Sequence, residues 1–505
     1  MSRRCGPADT RLPRGFRVML DRRVQSIDGG AVLIGGAPPR MLHLAPVARA
    51  LLVDGRLTVG DATSAVLTRR LLDAGVAHPD VAALAPGCRS GPIRMPSRPD
   101  SGVARPRLAE VTVVVPVRDR TAGLARLLAA LPRGVGAVLV VDDGSVDEAA
   151  VRAVATAAGA EVLRHPTARG ASAARNAGLA AAATPLVAFL DSDVEPAHGF
   201  LEPLLAQFAD PAVGLAAPRV VALPPVRGWL GRYEAVRSSL DLGPDPALVV
   251  PRSRVAYVPS AALVVRRDAA GQGFDERMHI AEDVDLVLRM HAAGWRLRYE
   301  PSSRVAHDHR TSLRAWWLRK AQYGTGAAPL ALRHRGAVPP MVLSPWSAAV
   351  SVLFLLGRPS ATVAAGLVSA VAARQLARRL DRVSRPGATA ARLIGLGMMG
   401  AIGQTAHAVT RHYWPLAAAA CLVSTRARRT VAVVALAEGA VDWAHHRGRH
   451  PGVRPGPLGY LLAHRLDDLA YGAGLWWGAL RHRSVAPLLP RWTTRPSTSR
   501  ADRLD

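Results

Sequence analysis

The central part of this 505-residue chain predicts an α/β fold, a mostly parallel sheet with helices on its faces. Three observations predict it. Short apolar runs recur between residues 111 and 193: VTVVVPV, AVLVVDDGS, AEVLRH and PLVAFLDSD. Alanine- and leucine-rich stretches of helical length, GLARLLAALP and GASAARNAGLAAAA, separate them. Acidic residues then stand where the runs end: Asp119, the pair Asp142 and Asp143, and Asp191 with Asp193. Ligands in open α/β sheets bind at the carboxyl ends of strands, so acids at three successive strand ends converge on one edge. The expected domain spans 111–315. A small strand-and-helix unit at 16–78 precedes it, and an apolar α-helical region at 316–484 follows.

The first unit opens with FRVMLDRRVQSIDGGAVLIGG, whose partial alternation and Gly-Gly step predict short strands joined by a turn. LAPVARALLVDG and TVGDATSAVLTRRLLDAG then predict two helices, each starting near a turn or capping residue and ending at glycine. Residues 79–110 include PGCRSGPIRMPSRPDSG and have the composition of a linker. Beyond 310, MVLSPWSAAVSVLFLL, SATVAAGLVSAVAA and ARLIGLGMMGAIGQTAHAV are apolar and helical in pattern. Few of these stretches reach the roughly twenty strongly apolar residues that a membrane span needs. They fit interfacial or re-entrant helices, short spans, or a helical domain packed on itself. Membrane association is expected, without a count of spans.

Charge points the same way. The net charge is +27, almost all of it arginine, with Lys320 the only lysine. The arginines cluster late, in RQLARRLDRVSR (374–385), RARR (426–429) and HHRGRH (445–450), between apolar stretches. That alternation fits basic segments flanking membrane-associated helices, not a basic groove with interleaved aromatics, so nucleic acid is not an expected partner. Cys5, Cys88 and Cys421 lie far apart without C-x-x-C spacing, which excludes a disulfide framework or zinc site and places the globular part in a reducing, cytosolic setting. The N-terminus lacks the apolar core of a secretory signal.

The acids carry the chemistry. In LDSDVEP, Asp191 and Asp193 follow a buried strand. A lone D-x-D often caps a turn or helix. Beside the other acids, however, two carboxylates at a strand end can hold a hard divalent cation, which would in turn hold nucleotide phosphates. The D-D-G-S turn supplies carboxylates able to accept hydrogen bonds from a base N–H and ribose hydroxyls. ARGASAARNAG offers small residues for close approach and Arg169 or Arg175 for phosphate or carboxylate, although its alanines and glycines also suit plain helix packing. Glu282 and Asp283 open the helix of HIAEDVDLVLRM. Two acids in a first turn complement the helix dipole, and each also raises the other's pKa, which suits a base.

Taken together in this order, VTVVVPVRDR, VVDDGSVD, RGASAARNAG, FLDSDVEP, AEDVDLVLRMHAAGWRLRYEP and VAHDHR resemble the family 2 glycosyltransferases, with a GT-A nucleotide-diphospho-sugar fold over roughly 111–315. Residues 16–78 resemble the small winged-helix domains of the PqqD type, which recognise precursor peptides; a docking unit of other purpose fits the same pattern. With the segment WWLRKAQYGTGAAPLALRH and the apolar tail, the whole resembles the glycosyltransferases of the mycofactocin system. Those enzymes add glucose units to premycofactocin, a peptide-derived redox cofactor.

The resemblance implies UDP-glucose as donor, Mg²⁺ or Mn²⁺ as cofactor, and premycofactocin or its precursor as acceptor. It implies Asp119 and Asp143 on uracil and ribose, with Asp142, Arg169, Arg175 and Asn176 in the same nucleotide-sugar site. Asp191 would lie near the ribose and sugar, and Asp193 and His307 on the metal, although Asp308 and His309 stand close enough to confuse that assignment. Asp283, with Glu282 beside it, would be the general base of a single displacement that inverts the anomeric centre and gives a β-linked product; which of the two acids works stays open. Trp295, Trp316, Trp317 and Tyr323 are candidates to stack on acceptor sugars, yet such aromatics also pack or sit at membrane interfaces. AWWLRKAQYGTG stands where processive synthases carry Q-x-x-R-W, which leaves processivity open.

The expected location is the cell membrane, with the catalytic domain facing the cytoplasm and a precursor peptide as a further partner for 16–78. A cell-envelope glycolipid or polysaccharide is the alternative acceptor. A peptide-binding adaptor with an inactive transferase domain is the second alternative, against which Asp143, Asp193 and Asp283 stand. A nucleotidyltransferase would carry a lysine-containing glycine-rich signature, and PVRDRTAG has no lysine.

Overall fold

The computed structural model describes residues 6–84, 103–309, 312–380 and 382–493, and the backbone of 503–504. The chain divides into two compact units: Met1–Pro225, Ser238–His309 and Asp502–Asp505 form one, Val226–Arg237 and Arg310–Ala501 the other.

The first unit is built on a nine-stranded sheet. Across it the strands run Val194–Pro196, Arg296–His307, Val213–Ala222, Ala262–Arg266, Leu186–Leu190, Val111–Val117, Ala137–Asp143 and Glu161–His165, with Ala247–Leu248 pairing off Arg296–His307. The last four in that order are parallel to one another. All of Val111–Val117 is buried, as a parallel strand covered by helices on both faces requires, and this is why its sequence is an unbroken apolar run. Successive residues feed opposite layers. Val113 and Val115 join Leu124, Leu127 and Phe200 on one face; Val114 joins Phe189, Phe274, Leu286 and Trp295 on the other.

In the N-terminal part, Arg17–Leu20 lies between Arg56–Thr58 and Ala77–Pro79, all antiparallel. Gln25–Ile27, Val32–Gly35 and Arg40–Leu44 form a meander beside it. The helix Ala62–Asp73 starts on a capping box: the Ser64 N–H donates to Asp61 at 2.7 Å, and the Asp61 N–H donates to the Ser64 hydroxyl at 2.9 Å. This part continues past residue 78, because Ala77–Pro79 is a strand of its sheet and Val81–Leu84 is helical with Leu84 in its core. The expected linker therefore begins later than residue 79; residues 85–102 of it, like Cys5 and Cys88, lie outside the described residues. Arg69 reaches the sheet domain, donating to both oxygens of Asp210 at 2.7 and 2.9 Å, and that aspartate has no exposed surface.

The second unit is helical. The helix Gly228–Arg237, within the span 111–315 expected to form the sheet domain, belongs here because Leu230, Tyr233 and Val236, at helical spacing, pack with Trp316, Tyr460 and Ala463. Among the described residues one helix, Pro359–Ala377, is long and apolar enough to cross a membrane. The unit also buries charge. Lys320 donates to Glu234 at 2.8 Å and Asp467 at 3.0 Å, Arg411 joins Asp467 at 2.9 Å and Asp468 at 3.2 Å, and Arg237 pairs with Asp442 at 2.9 Å. Part of the tail is thus a helical domain packed on itself.

Arg69→Ala is expected to lower the unfolding free energy by roughly 3 kcal/mol, because it leaves the buried Asp210 charge without its bidentate partner, with, among the described residues, only the Ala212 N–H still donating to it. Denaturant unfolding would measure it. Arg69→Ala combined with Asp210→Asn should recover part of the loss, and an unchanged midpoint in the single variant would remove this pair from the account.

Candidate active site

The D-D-G-S turn is set by strand register. In the parallel pairing of Ala137–Asp143 with Glu161–His165, Arg164 stands opposite Asp142 and His165 opposite Asp143. Asp142 is fully buried, bonded to the Arg164 guanidinium and accepting from the Ser145 N–H at 2.9 Å. Asp143 accepts from His165 Nδ1 at 2.8 Å and from the N–H groups of Arg169 and Gly170 at 2.9 and 2.8 Å. Burial pushes the Asp143 carboxyl up, but these hydrogen bonds outweigh it and hold the group below the ordinary carboxylate range. Gly144 takes φ +71° at this turn, and a Cβ there would lie 2.7 Å from the Ala168 nitrogen, so only glycine lets the two loops meet. Asp119 stands across from them. It holds a left-handed φ of 55°, accepts from the Val146 N–H at 2.8 Å, and leaves about half its side chain (46%) open to solvent.

Arg175 organises the next group. It lies on the helix Ala171–Ala181 and is almost wholly buried. One guanidinium nitrogen donates to Asp191 at 2.6 Å, another to Glu282 at 3.1 Å, and the plane lies 5.2 Å from the Phe274 ring centre. Burial would lower its pKa, yet Asp191 and Glu282 override that and raise it. Asp283 follows at the start of the helix Glu282–Ala292, which is preceded by Ala281 in the left-handed conformation, φ 63°. The Ser260 N–H donates to one Asp283 oxygen at 3.1 Å and the Val284 N–H to the other at 2.8 Å. Next to Ser260, the Ala261 carbonyl accepts from the Asp191 N–H at 3.0 Å, so one loop ties the D-x-D turn to the Glu282–Asp283 helix. Burial raises the pKa of both Glu282 and Asp283. The Asp283 charge raises Glu282 further, while the Arg175 charge works against the rise in both.

Asp193 and His307 meet through the sheet. Val194–Pro196 pairs antiparallel with the end of Arg296–His307, Val194 facing His307, and the Asp308 N–H donates to the Asp193 carbonyl at 2.9 Å. This brings His307 Nε2 to 3.6 Å from Asp193 Oδ1, a buried oxygen with no hydrogen-bond partner. The other Asp193 oxygen accepts from Arg120 at 2.7 Å. Gly123 makes room for the turn, since a Cβ there would stand 2.4 Å from the Ser192 carbonyl oxygen. An unpartnered carboxylate oxygen facing an imidazole nitrogen is a donor set that fits a divalent cation.

Several expected site residues have other work. Asp142 is taken up by Arg164 and the Ser145 N–H. Asn176 donates to the Phe274 carbonyl and accepts from its N–H, both at 2.8 Å, so it holds the loop before Glu282. Arg175 binds the carboxylates of Asp191 and Glu282. Arg169 contributes its N–H to Asp143 and its guanidinium to Glu276 at 3.2 Å, and stays more than half exposed. Trp295 is buried in the core, with Gly214 leaving space beside its ring, and Trp316 is buried with its indole N–H on Glu234 at 2.8 Å. Neither is an exposed stacking surface. Trp317 and Tyr323 sit partly buried on the helix Leu313–Thr325 of the helical unit, Tyr323 under Arg319. Sequence reading missed Arg120, Ser145, His165 and Ser260. Arg120 follows Asp119 directly and could have been proposed; the other three are found only through register or loop packing.

The glycosyl transferase family 2 model matches residues 112–270. A pre-mycofactocin glycosyltransferase of Mycobacterium tuberculosis is 47% identical over 490 residues, 96% of this chain and 99% of that protein. An uncharacterised glycosyltransferase of Mycobacterium bovis is 35% identical over 192 residues, 37% of this chain and 81% of its own. Among solved structures, a mannosyltransferase from Pyrobaculum calidifontis in complex with GDP-Man and Mn²⁺ aligns at 19% identity and a TM-score of 0.38, over 71% of this chain and 87% of that one. That likeness is too loose to carry an argument. Glu282, Asp283 and His307 lie beyond the matched span 112–270, so their places rest on the geometry above.

Arg175→Gln is expected to move the acidic limb of the pH–activity profile upward. Its positive charge holds the Glu282 and Asp283 carboxyls down against burial, so its loss lets both stay protonated to higher pH, and a base must be unprotonated to act. The pH dependence of kcat/KM would show the shift; an unmoved limb with only a lower maximum would mean that Arg175 merely holds structure.

Proposed function

The chain belongs to the family of the pre-mycofactocin glycosyltransferases, within glycosyl transferase family 2, and from that premise we propose that it transfers glucose from UDP-glucose to premycofactocin with inversion. The observation that carries the reading is the junction of Asp191, Arg175 and the Glu282–Asp283 pair, with Asp193 and His307 paired one turn away. Glucosyl transfer needs a donor-binding edge and a base that works beside it, and this junction supports both.

Asp283 is the base. Two backbone N–H groups fix its carboxylate, and burial gives it more proton affinity than an ordinary aspartate. Glu282 shares the Arg175 guanidinium with Asp191 and stays as the anchored neighbour. As the acceptor hydroxyl oxygen attacks the anomeric carbon, its proton passes to Asp283. The bond from that carbon to the diphosphate oxygen breaks on the opposite face and UDP carries the electron pair away. One displacement converts an α-linked donor into a β-linked product, and repeated use would build a short oligosaccharide. Asp119 and Asp143 border the nucleoside end, Asp143 by fixing the Arg169–Gly170 backbone and Asp119 through its exposed carboxylate. Asp193 and His307 would hold Mg²⁺ or Mn²⁺, which when bound supplies positive charge to the diphosphate. Arg120, on Asp193, adds a fixed cation at the same place.

The N-terminal module fits the PqqD-type reading as a holder of a precursor peptide or of the acceptor. A cleft of about 530 Å³ runs between Leu20, Ser26, Pro46, Arg49 and Leu52. The enzyme would work at the cytoplasmic face of the membrane. The apolar residues that the helical unit leaves exposed, Leu367 and Leu422 among them, favour a second reading in which the acceptor is an envelope glycolipid or polysaccharide.

Purified protein with Mn²⁺, UDP-glucose and premycofactocin is expected to give a ladder of hexose additions by mass spectrometry. Asp283→Asn should lower kcat by about 10²- to 10⁴-fold with little change in donor affinity. Asp193→Ala or a chelator should abolish turnover, with metal restoring only the chelated wild type. A ladder that appears on envelope lipid and never on premycofactocin would move the acceptor, and no turnover of any UDP-sugar would end the transferase reading.

A further inference from the structure

We propose that the consecutive helices Pro359–Ala377 and Pro386–His407 lie flat on an anionic phospholipid surface and do not cross it. The inference rests on the membrane-associated reading above and says what kind of association the helical unit can make.

Pro359–Ala377 leaves an apolar stripe uncovered. Val363, Leu367 and Val371, four residues apart and so on one face, are 65, 64 and 57% exposed. Pro386–His407 exposes Leu396 and Met399, at 57 and 66%. Scattered apolar residues are ordinary on any surface, but a stripe repeated on adjoining helices marks a face that has a partner. The two helices touch, the Ser369 hydroxyl donating to the Met398 sulfur at 3.4 Å.

Internal packing then decides between crossing and lying. The preceding helix, Pro345–Leu356, is bonded to Pro386–His407: the Thr405 hydroxyl donates to the Ser351 hydroxyl at 2.8 Å, and Gly397 lies against the Trp346 ring. Were Pro359–Ala377 to cross alone, its two neighbours would end on opposite sides of the bilayer and these contacts could not exist. Were both helices to cross as a hairpin, the turn between them would pass through the hydrocarbon. That turn carries Arg378, Arg379, Arg382 and Arg385, all exposed, with Arg374 in the helix turn before it. Charged guanidinium groups resist that passage. In the interface plane both demands are met at once: apolar side chains enter the acyl boundary while the arginines meet lipid phosphates. The charge of the turn selects anionic lipid as the partner.

The test uses full-length protein and sedimentation with vesicles of phosphatidylcholine, with or without phosphatidylglycerol. Binding is expected only with phosphatidylglycerol. It should fall roughly tenfold or more at high salt, and similarly when Arg378, Arg379, Arg382 and Arg385 are all changed to Gln. Leu367→Glu should weaken it as well, while donor turnover in solution and the circular-dichroism melt stay as in the wild type. Sodium carbonate should release the protein from cell membranes. Equal binding to neutral vesicles, or release by detergent alone, would overturn the proposal. Absence of vesicle binding in a protein that still transfers hexose would also overturn it, leaving the transferase reading intact.

Discussion

Arg175 holds the catalytic edge together by a simple electrostatic requirement. Asp191, Glu282 and Asp283 come from a strand end and a helix start far apart in the chain, and all are partly or wholly removed from water. Three carboxylates gathered there would repel one another, and a buried guanidinium without partners would be equally unfavourable. Each arrangement is tolerable only with the other. Because Arg175 extends from a helix that packs on the sheet, the closeness of that helix to the strands becomes a control on charge at the site. The next residue, Asn176, repeats the device without charge, fixing both polar groups of the Phe274 backbone. One helix face therefore positions the start of the helix Glu282–Ala292 by two independent ties.

Much of this was legible in the sequence because buried parallel strands have little choice of composition. VTVVVPV and PLVAFL read as strands for the same reason that they are strands, and the acids after them had to fall at one edge. Which acid does what was less legible. Asp142 and Asp143 are adjacent and therefore point to opposite faces, and their fates follow from Arg164 and His165 on the neighbouring strand, a register that no local pattern states. Trp295 misled in a similar way. It sits in a motif-bearing stretch, yet Gly214 opens a core slot for its ring. The helix Gly228–Arg237 has an ordinary amphipathic spacing, and spacing does not say which core its apolar face will enter.

The helical unit shows a different limit. Read as an alanine-rich apolar tail, it offered no hint that its only lysine would be buried between two carboxylates. Alanine buries little area, so helices rich in it gain modestly from burial and can slide past one another with small loss. Ion pairs remove that freedom. Lys320 with Glu234 and Asp467, and Arg411 with Asp467 and Asp468, can form in one register of the helices and leave uncompensated charge in any other. The isolated charges in that stretch, easily taken for solvated positions, are what give weakly apolar helices a single way to pack.

The pairing of Val194 with His307 joins two halves of the candidate cation site that lie far apart in the chain. Asp193 lies near the middle of the domain's chain and His307 near its end, on the final stretch of the final strand of the sheet. The site is consequently assembled by closure of the domain, not by any local segment. A nascent chain, or a fragment ending with the matched span at residue 270, would possess the D-D-G-S turn and the D-x-D turn and still lack both His307 and the Glu282–Asp283 pair. On the proposed assignment, a chain cut short of that last strand would lack part of the site however well its earlier strands formed.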